Sequence, residues 1–440
     1  AAWLAPRVDG VPPPPGLRAL WAIGVVGLLL GQSVRTATAM VDPSFAAGAA
    51  VPFDAKTGSH ACLTAYVHGS ILADRGQNPY DLSYEPLPDE PPRDLPPTAA
   101  HMAPFKLDLY GYGPPFLALP RLMRLVTEDF LSLRAMFGAF NVALSFFAAG
   151  LLAWHLGGDV GRRMWWVGPI ALATPTALAA ANISNFHLAM VAMCAMAWVA
   201  FERGRDWIGG ALLAFVILAK IAPGLLGVVL LARRQWRAAG ATAIAAVVIT
   251  ASSLPAAGLP VWEAFIHYYL PKLSSGEAFA FFDRTREDVL LNLSPFGLPF
   301  LLTRAGVADL GWEAARRVQD VFTIALAVIA IGAGRRDGPP AQRAASWLAV
   351  LTLATLRSPF AAVYVACAAL FALLPMLGEP RRRSGVVGYA LAWLFIETPA
   401  IPTGTRADFF VSTARILLCL ALCTWVALRR WGDAPFEPAT

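Results

Sequence analysis

Apolar runs separated by arginine pairs constrain this chain more than any other feature. Ten runs lie near 17–40, 131–156, 164–181, 184–202, 238–254, 313–333, 342–356, 358–376, 383–400 and 408–429. They approach or reach the roughly 20 residues that a helix needs to cross a bilayer. Basic turns fall between them at Arg162-Arg163, Arg203 and Arg205, Arg233-Arg234, Arg335-Arg336, Arg381-Arg382-Arg383 and Arg429-Arg430. Cytoplasmic loops carry such an excess of Arg and Lys, and alternating crossings put all of these turns on one side. The expected fold is an all-α polytopic membrane helix bundle of about ten full spans, with both termini in the cytosol. Composition agrees. Only 15% of residues are charged and 57% are hydrophobic, against roughly 25% charged in a soluble domain. The net charge of +6 then belongs to cytoplasmic turns, and no nucleic acid is expected as a partner.

The chain divides accordingly. Residues 1–16 are a proline-rich cytosolic tail and 17–40 the first span. Residues 41–113 form a first external loop, and 114–254 a membrane module. Residues 255–312 form a second external region, and 313–440 the C-terminal membrane helices. The 41–113 loop holds nine acids and four bases, which places it outside. Within it, Leu63, Val67 and Ile71 recur at helical spacing and Gly76 ends the pattern, so a helix is expected over 59–75. It is too short and polar to span, and is read as a surface helix. Residues 86–97 hold six prolines and should be extended. The segment 206–232 is different again. It has arginines at both ends and Lys220 and Pro223 in its middle. Both ends want the cytosol, and 27 residues cannot cross twice. A short re-entrant helical hairpin follows, with Lys220 near its tip beside a cavity.

Nucleotide-binding glycine patterns, HExxH, a nucleophile-elbow serine and paired CxxC are all missing. No cofactor is expected. The five cysteines show no metal spacing and imply no disulfide framework. On the expected helix, His60, Thr64 and His68 share a face, but the histidines stand roughly 12 Å apart, too far for one metal. That face is either a solvated surface or a contact for an acceptor or phosphate. Arg357 is either an anchor at a span end or a phosphate clamp. Lys220, in an apolar segment, needs water, a partner or an anion. Trp residues near span ends fit the aromatic belt.

Several motifs taken in order resemble glycosyltransferase family 87. Gly76-Gln77-Asn78-Pro79-Tyr80-Asp81 and Tyr112-Gly113-Pro114-Pro115 are similar to that family's first external loop. Ala181-Asn182-Ile183-Ser184-Asn185 resembles its Gly-Gln-x-Asn stretch, and Lys220-Ile221-Ala222-Pro223 its Lys-x-x-Pro hairpin. The resemblance covers roughly 17–375 and implies a GT-C type membrane enzyme that uses a polyprenyl-phosphate sugar, with mannose the usual donor. Asn78, Tyr80, Asp81 and Tyr112 are then loop-motif residues. Two departures matter. The family has an Asp four residues before the aromatic residue of the first loop helix; with Tyr66 in that role, the position is Cys62. The histidine pair after Ser358-Pro359 is replaced by Phe360-Ala361-Ala362-Val363-Tyr364.

The resemblance implies transfer to a lipid or glycan acceptor, with inversion, on the periplasmic face of the plasma membrane. A carboxylate must take the acceptor's proton, and cations must meet the charge on the departing phosphate. With Cys62 in the usual place, the catalytic acid is sought at Asp54 first and Asp42 second, with His60 assisting. Lys220, Arg286 and Arg357 are the candidates at the donor phosphate. No metal is called for. A flippase for a polar lipid and a catalytically silent binder of lipid-linked sugar are the alternatives.

Overall fold

The computed structural model describes residues 60–81, 96–172, 174–378 and 403–430, together with 37–42 and isolated positions within 27–34 and 391–396. The spans expected at 17–40 and 383–400, the prolines of 86–97 and Asp54 lie largely or wholly outside these residues. Among the described residues, regular structure is helical apart from two isolated β-bridges, His60 with Lys106 and Asn292 with Ala362.

The helices run α1 (Leu63–Asp74), α2 (Ala118–Arg124), α3 (Phe130–Leu156), α4 (Gly158–Leu172), α5 (Pro175–Asn182) and α6 (His187–Glu202). Then come α7 (Asp206–Lys220), α8 (Leu225–Ala232), α9 (Trp236–Ala257), α10 (Leu259–Glu263), α11 (Leu270–Ser275) and α12 (Arg286–Leu291). The last are α13 (Leu298–Arg304), α14 (Trp312–Gly334), α15 (Pro340–Thr355), α16 (Cys367–Leu373) and α17 (Ala407–Leu428). Four of these, α3, α9, α14 and α17, are long and apolar enough to cross a membrane. Exposed Val247, Val248, Val321, Ile324 and Val328 on α9 and α14 suit a lipid-facing surface. α15 is the buried axis. Nearly every residue from Ala341 to Thr355 is inaccessible, and its Trp347 donates an indole N–H to the Cys194 carbonyl of α6 at 3.0 Å.

Other expected spans are broken where backbone chemistry demands it. The 164–181 run is split into α4 and α5, with Pro175 in the first turn of α5. α5 meets α6 at a corner of 115°. The 206–232 segment breaks at Ile221, which has φ +48°, a costly region for a β-branched residue. A turn over Ala222–Gly224 links α7 to α8. α7 packs on α6 and α9, whereas α8 packs chiefly on α14.

The first-loop helix differs from its expected setting. It starts at Leu63, so His60 lies outside it, and it is buried on nearly every side rather than lying on a surface. The reason is that the later half of the loop covers its polar face. His68 Nε2 meets Thr98 Oγ1 at 2.9 Å. Thr64, fully buried, is hydrogen-bonded to the backbone of Ala61, Lys106 and Asp108. At the other end Asp74 receives Arg121 at 2.7 Å and Arg124 at 2.8 Å from α2. Arg134, also buried, donates to the carbonyls of Ala39, Met40 and Asn182, which ties the helical residues 37–41 to α3 and α5.

Two predictions follow from this packing. Burial, with His101 and Arg75 nearby, lowers the His68 pKa to about 4. A histidine of ordinary pKa near 6.5 gains its proton more readily once unfolded. Stability is therefore complete above about pH 6.5 and declines as pH falls toward 4, by on the order of 2–3 kcal/mol. His68→Gln should flatten that decline in a thermal-melt series. Gly113 donates its N–H to the Ala219 carbonyl at 3.2 Å, and a Cβ there would overlap the Leu218 carbonyl. Gly113→Ala should lower the melting temperature, with a cost of about 1–3 kcal/mol typical of overpacking.

Candidate active site

The two buried ends of the first loop converge on the α5–α6 corner. The Cys62 N–H donates to the Ile183 carbonyl at 2.7 Å, and the Phe186 N–H donates to the Tyr66 hydroxyl at 3.2 Å. Tyr66 and Tyr112 share a hydroxyl hydrogen bond of 2.7 Å, their rings edge to face at 4.8 Å. Burial pushes both phenols well above their usual pKa, so both keep their protons. Tyr80 lies beneath, 1% exposed. It donates to the Tyr112 carbonyl at 2.9 Å and stacks on Tyr269 at 5.1 Å. Asn78 accepts from the Tyr80 N–H at 2.9 Å, an Asx turn that sets the Tyr80 backbone. These loop-motif residues thus build an aromatic floor and are not themselves the polar centre. Asp81 is half-buried at the end of the same turn.

On this floor sits one connected polar group. His60 Nδ1 is 3.2 Å from Asp108 Oδ1, and His60 Nε2 is 3.5 Å from Cys62 Sγ. Asn185 donates from Nδ2 to Cys62 Sγ at 3.1 Å and to the Tyr364 hydroxyl at 3.0 Å. Lys220 donates to Asn185 Oδ1 at 3.4 Å, and its ammonium lies 5.1 Å from the centre of the Tyr112 ring. Burial alone would pull the His60 pKa down. The Asp108 carboxylate beside it, with Cys62, instead holds it well above its ordinary value. The chain from Asp108 through His60, Cys62 and Asn185 to Lys220 therefore has an anionic end and a cationic end.

Local backbone puts these groups in place. Ser184, just before Asn185, has φ +53°, and Ile221 follows Lys220 at φ +48°. Non-glycine residues in such conformations cost about 1–3 kcal/mol each and cluster at functional sites. The Asn185 side chain is also held by the His187 N–H at 2.8 Å. Asp108 is fixed by the bond from its own N–H to Thr64 Oγ1 at 3.1 Å.

The predicted residues are only partly brought together. His60, Lys220 and Tyr112 meet here. Asp42 is exposed, its N–H closing a turn on the Thr38 carbonyl. Arg286 pairs with buried Asp408 at 2.7 Å, also donates to the Thr405 carbonyl, and lies over Phe409. Arg357 donates to Thr323 at 2.9 Å on α14. Those contacts of the two arginines lie on other elements than the His60–Lys220 group. Asp108 was missed. Its signal is the alternation Phe105-Lys106-Leu107-Asp108-Leu109-Tyr110, which marks an extended segment, and this one bridges to His60.

Tyr66→Phe tests the floor. It leaves the Phe186 N–H and the Tyr112 hydroxyl without that partner in a buried setting, and should cost about 1–3 kcal/mol, seen as a lower melting temperature with unchanged helical content.

No curated protein matches the chain at a significant level. Residues 110–359, more than half of the chain and including α5, α6, α7, Asn185 and Lys220, match the sequence model of glycosyltransferase family 87. The chain is a membrane protein and belongs to glycosyltransferase family 87.

Proposed function

We propose that the chain moves a sugar, mannose in the first instance, from a polyprenyl-phosphate donor to a hydroxyl of a lipid or glycan acceptor, with inversion. What supports this reading is the polar group with Asp108 at one end and Lys220 at the other. Displacement of a phosphate needs a base for the acceptor hydroxyl and a cation for the charge that gathers on the leaving oxygen. In this reading Asp108 is the base, taking the place of the carboxylate that the family carries where this chain has Cys62. His60 orients it. Lys220 meets the donor phosphate, and Asn185 fixes the distance between the two ends. The polyprenyl chain lies along the break between α7 and α8. Irregular backbone at membrane depth is tolerated only where it lines protein or a cavity, so the α7–α8 break suits a re-entrant hairpin. The bundle is then about ten crossings of the plasma membrane, with the reaction on its periplasmic face and membrane lipids around it.

The Cys62 substitution favours a second reading, a silent binder that holds the lipid-linked sugar without transferring it. One experiment separates them. The protein is placed in nanodiscs with radiolabelled polyprenyl-phosphate mannose and a total lipid extract. Label should pass to a new lipid, and Asp108→Asn should slow that passage by a factor of about 10² to 10⁴. Lys220→Gln should weaken donor binding as well as transfer. Full transfer by Asp108→Asn returns the base to Asp54 or Asp42. Saturable donor binding with no transfer of this or another polyprenyl-linked sugar supports the silent binder.

A further inference from the structure

Cys62 has no task in the mechanism just given, although it lies at the centre of the polar group. We propose that His60, Cys62 and Asp108 together hold one divalent transition-metal ion, zinc by the chemistry of the donors, and that this ion binds the acceptor hydroxyl. The inference rests on the transferase reading and deepens it.

The nitrogen, sulfur and oxygen donors of these three side chains all lie within 4.8 Å of one another. Zinc bonds of about 2.0–2.3 Å in a tetrahedron set ligand atoms roughly 3.3–3.6 Å apart. The sulfur lies 3.5 Å from one imidazole nitrogen and the carboxylate 3.2 Å from the other. An imidazole gives an ion one nitrogen, so a small pivot of the ring exchanges one of these two contacts for a metal bond. One imidazole, one thiolate and one carboxylate form a borderline-soft set that suits zinc better than magnesium or calcium. A thiolate and a carboxylate neutralise the dication. The Asn185 amide already donates to the sulfur at 3.1 Å, the outer contact that orients a metal-bound ligand.

Three protein donors leave a fourth position open, as catalytic rather than structural zinc does. The His60 and Asp108 side chains keep 38% and 23% of their exposure, so an incoming hydroxyl has access. A bound hydroxyl loses its proton far more easily than a free one. In the step, that proton goes to the Asp108 oxygen not bound to the ion and then to water. The hydroxyl oxygen forms a bond to the anomeric carbon. The bond from that carbon to the phosphate oxygen breaks, and its electron pair leaves with the polyprenyl phosphate beside Lys220. Nothing is oxidised or reduced. The thiol thus replaces the carboxylate of the family's pattern as a metal ligand, while Asp108 supplies the carboxylate.

The test uses the full chain, with any affinity tag removed, in nanodiscs. Zinc is measured by mass spectrometry after incubation with zinc chloride and dialysis. Chelated protein is then titrated with cobalt(II). The expected result is about one zinc per chain and a near-ultraviolet thiolate-to-cobalt band. In Cys62→Ser, with an unchanged thermal melt, zinc content should fall at least about tenfold and the band should vanish. Asp108→Asn should keep the band but bind cobalt more weakly. A zinc content far below one per chain, or cobalt binding that Cys62→Ser leaves unaltered, overturns the site. Transfer that needs Asp108 but ignores chelation and added zinc overturns the metal while the transferase reading stands. Zinc held by these residues in a protein that transfers no sugar overturns that reading and keeps the metal.

Discussion

The site depends on one buried hydroxyl. Thr64 shares its proton between the Ala61 and Lys106 carbonyls and accepts the Asp108 N–H. It thereby clamps the 105–110 segment against the start of α1. A buried hydroxyl in an apolar loop helix is costly unless its bonds are made, so this clamp selects one register between the two segments. That register pairs His60 with Lys106 and brings the Asp108 carboxylate to 3.2 Å from the His60 ring. The Cys62 N–H then docks the pair on the α5–α6 corner through Ile183, and Asn185 on that corner reaches Lys220. Four parts of the chain far apart in sequence are thus linked by hydrogen bonds of 2.7–3.4 Å in a setting that water reaches poorly.

Four long helices were well marked in the sequence, because a long apolar run between basic turns leaves little but a helix that can cross a membrane. α3, α9, α14 and α17 lie within a few residues of the runs that announced them. Lys220 and Pro223 marked the break after α7, and the resemblance of 181–185 marked the corner that carries Asn185. What periodicity could not supply was the covering of α1. Leu63, Val67 and Ile71 defined one apolar face, and the polar positions between them read as solvated. Their partners, Thr98, Lys106 and Asp108, come from an irregular segment more than 25 residues later. Pairing of that kind leaves no periodic trace, and so Asp42 and Asp54 were preferred to Asp108.

The same geometry bears on where the proposed reaction finds its carboxylate. Cys62 is held by its backbone bond to Ile183 as well as by the Asn185 amide on its sulfur. Asp108 arrives on a separate segment, 3.2 Å from His60, so the group holds a carboxylate although position 62 is a cysteine. The floor of Tyr66, Tyr80 and Tyr112 does not depend on which of the two segments carries the acid. Arg286 and Arg357, by contrast, answer to Asp408 and Thr323. A cation at a span end is as useful for holding helices together as for holding a phosphate.

The α5–α6 corner also depends on segments that are synthesised late. Asn185 is bonded to Tyr364, 179 residues later, and α15 lies against α6 through Trp347 and Cys194. The ribosome delivers the first loop and the corner well before either of these partners exists. Until the last third of the chain is inserted, the loop has no finished scaffold to close upon and Asn185 lacks one of its two acceptors. A chain that ends before α15 therefore lacks the scaffold on which α1 is buried. In the finished chain α1 is buried. A protease thus has a direct way to tell an unfinished chain from a finished one.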